Sequence, residues 1–239
     1  MATQSIGRGT GYRLLTIGIA VWMTAVIVAG FLKEIPWLGP ILGQSARNLY
    51  FHVPMWFTLM AAVAVSAVYS ARYLKTRRIE FDVRAEQAAL VGLVFGLLGL
   101  ATGMVWARFT WYEGTGLWWN WDPKQTMAAA QILIYGAYFV LRSSIDEERL
   151  RARIAGVYNL FAVVTVPFLL YVLPRQMDSL HPGAEGSPAF SETDLAPAMR
   201  IVFYPAVIGF IALWWWIYDQ RVRTRLAERQ VEERQPASV

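Results

Sequence analysis

The sequence predicts an all-α integral membrane protein with six transmembrane helices, and three observations carry that prediction. The 239 residues are 56% hydrophobic and only 16% charged, with a mean hydropathy of +0.36, which lies outside the balance of water-soluble domains. The apolar residues gather into long blocks instead of recurring at strand or surface-helix period. Lys and Arg concentrate in alternate connections between those blocks.

A helix that crosses about 30 Å of hydrocarbon at about 1.5 Å per residue needs about 20 residues. Six blocks approach that length: Leu14 to Leu32, Val53 to Ser70, Ala88 to Trp106, Thr126 to Leu141, Ile154 to Leu173 and Ile201 to Tyr218. The first follows Arg8 and Arg13 as a signal core would. Its apolar run is too long for one and lacks a small-residue cleavage site, so it reads as a retained span. The second opens at His52-Val53-Pro54, where Pro54 suits a first helical turn because it lacks an amide hydrogen. The fourth reaches span length only if its opening turn is included, with Asp122 as N-cap and Pro123 as the first helical residue. No core contains Asp, Glu, Lys, Arg or His; Gln131 and Asn159 read as interhelical hydrogen-bonding residues.

Six of the 22 basic residues, Lys33, Arg47, Arg108, Lys124, Arg175 and Arg200, fall in one set of connections. The rest lie in the N-terminus, the 71–87 and 142–153 loops and the tail, which places both termini in the cytoplasm. One membrane domain then covers 1–239, with external segments 33–52, 107–124 and 174–200. The net charge of +5 becomes a topology signal, so the bilayer is the implied partner and a nucleic acid is not. The tail from Asp219 alternates charges in the manner of a solvated helix.

Zero cysteines exclude disulfides, thiol nucleophiles, thiolate clusters and thioether-linked haem. The only imidazoles are His52 and His181, both on the predicted external side. Between them runs Trp111-Tyr112-Glu113-Gly114-Thr115-Gly116-Leu117-Trp118-Trp119-Asn120-Trp121-Asp122-Pro123-Lys124. An interfacial belt accounts for scattered external tryptophans such as Trp37, Trp56, Trp106 and Trp111, but not for three within four consecutive positions. On helical spacing Trp118, Trp121 and Asp122 share a face, and flat indoles offer a platform for a planar apolar ligand. Two imidazoles flanking such a platform suit axial ligation of a haem iron; zinc would need further, distant ligands.

The stretch Gly116 to Lys124 resembles the tryptophan-rich WWD signature of the haem-handling family of cytochrome c biogenesis. Tyr50-Phe51-His52-Val53-Pro54 and Leu180-His181-Pro182 resemble that family's external histidine motifs. The six spans and two histidines are most similar to its haem exporter protein C branch, and the WDPK ending has CcsA-type character. Leu117 and Arg175-Gln176-Met177 depart from the family pattern.

The resemblance implies a haem-binding and haem-delivery protein of the bacterial inner membrane, not an enzyme. It implies non-covalent haem b held at the periplasmic face by His52 and His181 as axial ligands, with Trp118, Trp119, Trp121 and Asp122 as the platform. It further implies transfer to a periplasmic haem chaperone, with an ABC-type maturation complex assisting. Arg47, Arg108, Lys124, Arg175 and Arg200 are candidate partners for the propionates. Two rivals stand beside this reading: a b-type cytochrome exchanging electrons with quinone, and a small-molecule permease whose tryptophans form only a belt.

Overall fold

The helices pack so that segments distant in the chain come together. The computed structural model describes residues 9–36, 43–111, 117–182 and 195–234. Arg8, Trp37 and Tyr112 to Gly116 lie outside the described residues. Helix α1 is Thr10–Leu32; a 3-10 turn, Gly43–Asn48, leads into α2, Leu49–Thr76. Helices α3, Ile79–Thr110, α4, Pro123–Ser143, and α5, Glu148–Pro167, follow. α5 continues through a π turn, Phe168–Val172, and a 3-10 turn, Leu173–Gln176, before α6, Pro197–Glu232. The described residues contain no strand.

Among the described residues, five stretches are long and apolar enough to cross a membrane: Thr10–Leu32, Gly43–Thr76, Ile79–Thr110, Glu148–Gln176 and Pro197–Glu232. They coincide with five of the six apolar blocks. Helix α4 has 21 residues but falls outside this group, because Lys124, Gln125, Gln131 and Arg142 dilute its apolar character. Its start is as expected: Asp122 caps it by accepting from the amides of Lys124 (2.9 Å) and Gln125 (3.4 Å), and Pro123 opens its first turn.

Pro54 corrects a boundary. α2 starts at Leu49, so Pro54 lies inside the helix and leaves the Tyr50 carbonyl without its usual i+4 donor. The 3-10 turn before Leu49 supplies the earlier start that the apolar block alone did not reveal.

Small residues set the closest helix pair, as lipid-embedded interfaces require. Along α3, Gly92, Gly96, Gly99 and Gly103 receive Ala62, Leu59, Trp56 and His52 of α2 in turn. A Cβ on Gly92 would come within 2.5 Å of the Ala62 Cβ. Met23 and Trp22 of α1 pack against Gly209 of α6, and the Trp22 indole donates to the Pro205 carbonyl at 2.9 Å.

Buried polar groups bond between helices. Asn159 donates to the hydroxyls of Ser66 (2.7 Å) and Ser70 (2.9 Å) and accepts from Tyr135, and Gln131 accepts from Thr165 at 3.1 Å. The interhelical role read for Asn159 and Gln131 is what the bundle contains. Arg142, counted from sequence as a loop charge, is instead buried and makes a bidentate pair with Asp82 at 2.8 and 2.9 Å. The tail also departs from a purely solvated helix. Asp219–Arg223 and Arg225–Glu228 pair along its surface, but Arg221 donates to Gln87 and Arg229 pairs with Glu148, which tie α6 to α3 and α5.

Candidate functional site

The first turn of α2 carries His52 and is anchored from several sides. Arg47 donates to the carbonyls of Gly30 and Lys33, and Asn48 donates to the Thr102 carbonyl at 3.3 Å. The His52 ring lies against α3 at Gly103, and its Nδ1 is 2.8 Å from the Gly99 carbonyl and 3.2 Å from the Thr102 hydroxyl. A carbonyl oxygen only accepts, so Nδ1 carries the hydrogen and Nε2 keeps the lone pair.

His181 follows the turn after α5, and Asp122 ties its loop to α4. The Asp122 carboxylate accepts from the Ser179 hydroxyl at 2.9 Å and the Leu180 amide at 2.8 Å, while Ser179 accepts from the His181 amide at 3.1 Å. His181 Nδ1 lies 2.8 Å from the Pro182 carbonyl and 3.4 Å from the Lys124 ammonium. The shorter contact decides the tautomer: Nδ1 donates to Pro182, and Nε2 again keeps the lone pair. Burial, then the Lys124 charge and the nearby His52, hold the His181 imidazole down to about 3. It is therefore neutral at physiological pH and able to coordinate a metal.

The two imidazoles come together from opposite parts of the chain, with ring centroids 6.2 Å apart and planes inclined by 38°. Trp56 stands edge-on to His52 at 6.4 Å, and Trp111 edge-on to His181 at the same distance. These rings border a largely apolar cavity of about 210 Å³, lined also by Phe57, Met104, Trp106, Lys124 and Tyr171. That volume is below the roughly 300 Å³ at which pockets begin to bury a drug-sized ligand, so a larger guest would remain partly outside.

Trp118, Trp119 and Trp121 do not line this cavity. Trp118 is 49% exposed and Trp121 77% exposed, and Trp119 meets Trp121 edge to face at 6.1 Å. The expected helical face shared by Trp118, Trp121 and Asp122 is absent, because α4 begins at Pro123 and the residues before it are not helical. Trp121 also sits at φ +56°, a left-handed conformation that turns the chain immediately before the cap. The segment is attached to the cavity wall through Gln125, which donates to the Trp118 carbonyl and accepts from the Asn120 amide.

Among the candidate cations, Lys124 lines the cavity, Arg175 lies 3.9 Å over the ring of the cavity residue Tyr171, and Arg108 lies 4.5 Å over Trp118. Arg47 and Arg200 are engaged with backbone carbonyls. Sequence reasoning missed Gly99, Thr102 and Gly103. Their signal was the glycine row on α3 at helical spacing, opposite the row of His52, Trp56, Leu59 and Ala62 on α2.

Membrane-length helices converging on two adjacent imidazoles and an aromatic cavity define a multi-pass membrane protein with a histidine pair beside an apolar cavity. The family model described as Heme exporter protein C matches residues 11–237. The Escherichia coli K12 Heme exporter protein C is 30% identical over 171 residues, covering 72% of this chain and 66% of that relative. The Paracoccus denitrificans protein is 29% identical over 189 residues (79% and 76%), and that of Haemophilus influenzae 25% over 219 residues (92% and 82%). The chain thus spans just under two thirds of the E. coli protein's length. This chain belongs to the Heme exporter protein C family.

Proposed function

We propose that this protein binds haem b non-covalently between His52 and His181 at the periplasmic face of the inner membrane and hands it to a periplasmic chaperone during cytochrome c maturation. The observation that carries the reading is the imidazole pair. With metal–nitrogen bonds of about 2 Å, as for histidine on zinc, and about 1 Å from nitrogen to ring centre, two axial imidazoles have centroids about 6 Å apart. His52 and His181 stand at 6.2 Å, each with Nδ1 bonded to a carbonyl and Nε2 left to coordinate.

The topology of this reading has six spans, with α4 as the sixth and both termini cytoplasmic. At about 1.5 Å per residue, the 21 residues of α4 reach about 30 Å, enough to cross. Alternating helix direction puts the starts of α2 and α4 and the ends of α3 and α5 on one side. The contacts of His52 with Gly99 and of Asp122 with Leu180 fit that arrangement.

Haem is cargo here, and the chain supplies ligation, a dry wall and a route out. A cavity of about 210 Å³ leaves much of the macrocycle outside, where Trp118, Trp119 and Trp121 offer indole surface to it. Asp122 contributes by holding the His181 loop, and Lys124 and Arg175 are the cations placed to meet the propionates. Exchange of one axial imidazole for an acceptor's ligand releases the haem. An ABC-type maturation complex assists release of the loaded chaperone.

Wild-type protein purified from haem-replete cells is expected to show a low-spin, bis-imidazole absorption spectrum, and adding apo-chaperone should move the haem to it. The double variant His52→Ala, His181→Ala should lose the spectrum. Its retention would end the ligand assignment, and a quinol-reducible haem that never leaves would replace delivery by a b-type cytochrome.

A further inference from the structure

We infer that α3 carries a positioning cradle for His52, made of the Gly99 carbonyl, the Thr102 hydroxyl and the bare backbone at Gly103, which fixes the tautomer and place of that imidazole. The inference rests on the haem-binding reading above and extends it to residues that do not touch the haem.

Three features of the contact carry it. The first is hydrogen bonding. Thr102 Oγ1 lies 2.9 Å from the Leu98 carbonyl and 3.0 Å from the Gly99 carbonyl, so its hydrogen is committed to its own helix. What it turns to His52 Nδ1 at 3.2 Å is a lone pair, and the Gly99 carbonyl at 2.8 Å is also an acceptor. Two acceptors on Nδ1 leave one tautomer, with Nε2 as the metal-binding atom.

The second is space. A Cβ at position 103 would lie 2.7 Å from His52 Cε1 and 3.3 Å from Nδ1, so the ring occupies room that only glycine leaves. At position 99 a Cβ would meet the Trp56 indole nitrogen at 3.0 Å, and Trp56 in turn stands edge-on to His52. The α2 row of His52 and Trp56 therefore seats in the α3 row of Gly103 and Gly99, one turn apart on each helix.

The third is electronic. A hydrogen bond from Nδ1 to an acceptor increases the basicity of the liganding nitrogen, which favours the ferric state and lowers the reduction potential. The cradle thus sets both where the ligand nitrogen sits and how strongly it donates.

The test has an arm without haem and an arm with it. In the haem-free protein, nitrogen-15 NMR of labelled histidine should show His52 as the Nδ1–H tautomer; the Nε2–H tautomer would overturn the cradle. In the haem-loaded protein, Gly103→Ala should convert the low-spin six-coordinate spectrum to a high-spin five-coordinate one, and free imidazole should restore the low-spin form. A wild-type spectrum in Gly103→Ala, or haem lost without imidazole rescue, counts against it. Should that variant fail to fold, Thr102→Val decides: the midpoint potential should rise above wild type, while Thr102→Ser should match wild type. An unchanged potential in Thr102→Val overturns the cradle. Absence of any bis-imidazole spectrum in wild type would instead overturn the haem-binding reading, while the NMR result still judges the tautomer.

Discussion

The two ends of the bundle are built on opposite terms. At one end, Arg142 is paired with Asp82 and Glu86, Arg229 with Glu148, and Arg221 with Gln87, so the side chains that cross between α3, α4, α5 and α6 meet partners. At the histidine end, satisfaction is incomplete. Of eight buried side-chain polar atoms without a partner among the described residues, five belong to Tyr50, Trp111, Asn120 and Thr126, against two, of Trp214 and Tyr218, towards the other end. Trp121, between Asn120 and Thr126, has a left-handed backbone. Folded proteins leave few such groups, and those that persist mark places whose conformation serves something other than stability. The paired end holds the helices together, and the proposed haem site occupies the end where more buried polar groups lack partners.

On that division, substitutions should separate stability from haem binding. The largest effect belongs to Asp82→Ala. Arg142 is only 5% exposed, and a guanidinium keeps its proton in proteins, so loss of its bidentate partner strands a buried charge. Breaking such a pair costs about 3 to 5 kcal/mol. Glu86, at 3.3 Å from the same guanidinium, keeps the cost from rising further. Unfolding in detergent should register that loss, while the folded fraction still gives the bis-imidazole spectrum. Loss of the spectrum from folded Asp82→Ala protein would break the division.

Gly92→Ala comes next, because its Cβ would lie 2.5 Å from that of Ala62 and α2 must move away from α3. Overpacking of this kind costs about 1 to 3 kcal/mol. The displacement should reach His52, three turns further along the same interface, and weaken haem retention modestly. A large loss of stability with unaltered haem retention would show that the two helices adjust locally.

Much of this was legible in the sequence, for reasons that differ by element. Five spans were legible because a membrane helix must be apolar throughout its length, and the cap at Asp122-Pro123 because it is a local pattern. The early start of α2 was hidden, since the turn at Gly43–Asn48 that launches it is polar and lies outside the apolar block. Arg142 was misplaced because burial of a charge depends on a partner sixty residues away in sequence, Asp82. The supposed face of Trp118, Trp121 and Asp122 assumed a helix that Pro123 prevents from extending upstream. The two histidines were legible by scarcity, but not their cavity, whose Trp56, Trp106 and Trp111 come from α2, α3 and the residue that ends α3.

Asp122→Ala tests the join between the two kinds of construction, since one carboxylate both caps α4 and holds the loop of His181. Loss of the cap costs about 1 kcal/mol. The freed loop should cost more in haem retention than in stability, and Asp122→Asn, which keeps an acceptor oxygen, should recover most of both. Equal behaviour of Ala and Asn in haem retention would assign the effect to the charge instead of the hydrogen bonds.

The smallest change should carry the clearest sign. Trp121→Gly removes a bulky side chain from φ +56°, where glycine is unstrained, and the indole it removes is 77% exposed, so little packing is lost. Relief of left-handed strain, at about 1 kcal/mol or somewhat more, is partly offset by the greater freedom glycine gives the unfolded chain. The haem-free variant should therefore be as stable as wild type or slightly more so, and a thermal unfolding midpoint in detergent can show it. Haem retention and transfer should nevertheless fall, because the exposed indole surface proposed to meet the haem is reduced. A residue whose removal stabilises the empty protein while weakening its hold on cargo is kept for the cargo. If Trp121→Gly instead destabilises the empty protein by more than about 1 kcal/mol, Trp121 is a packing residue and the histidine end is less specialised than its unsatisfied groups imply.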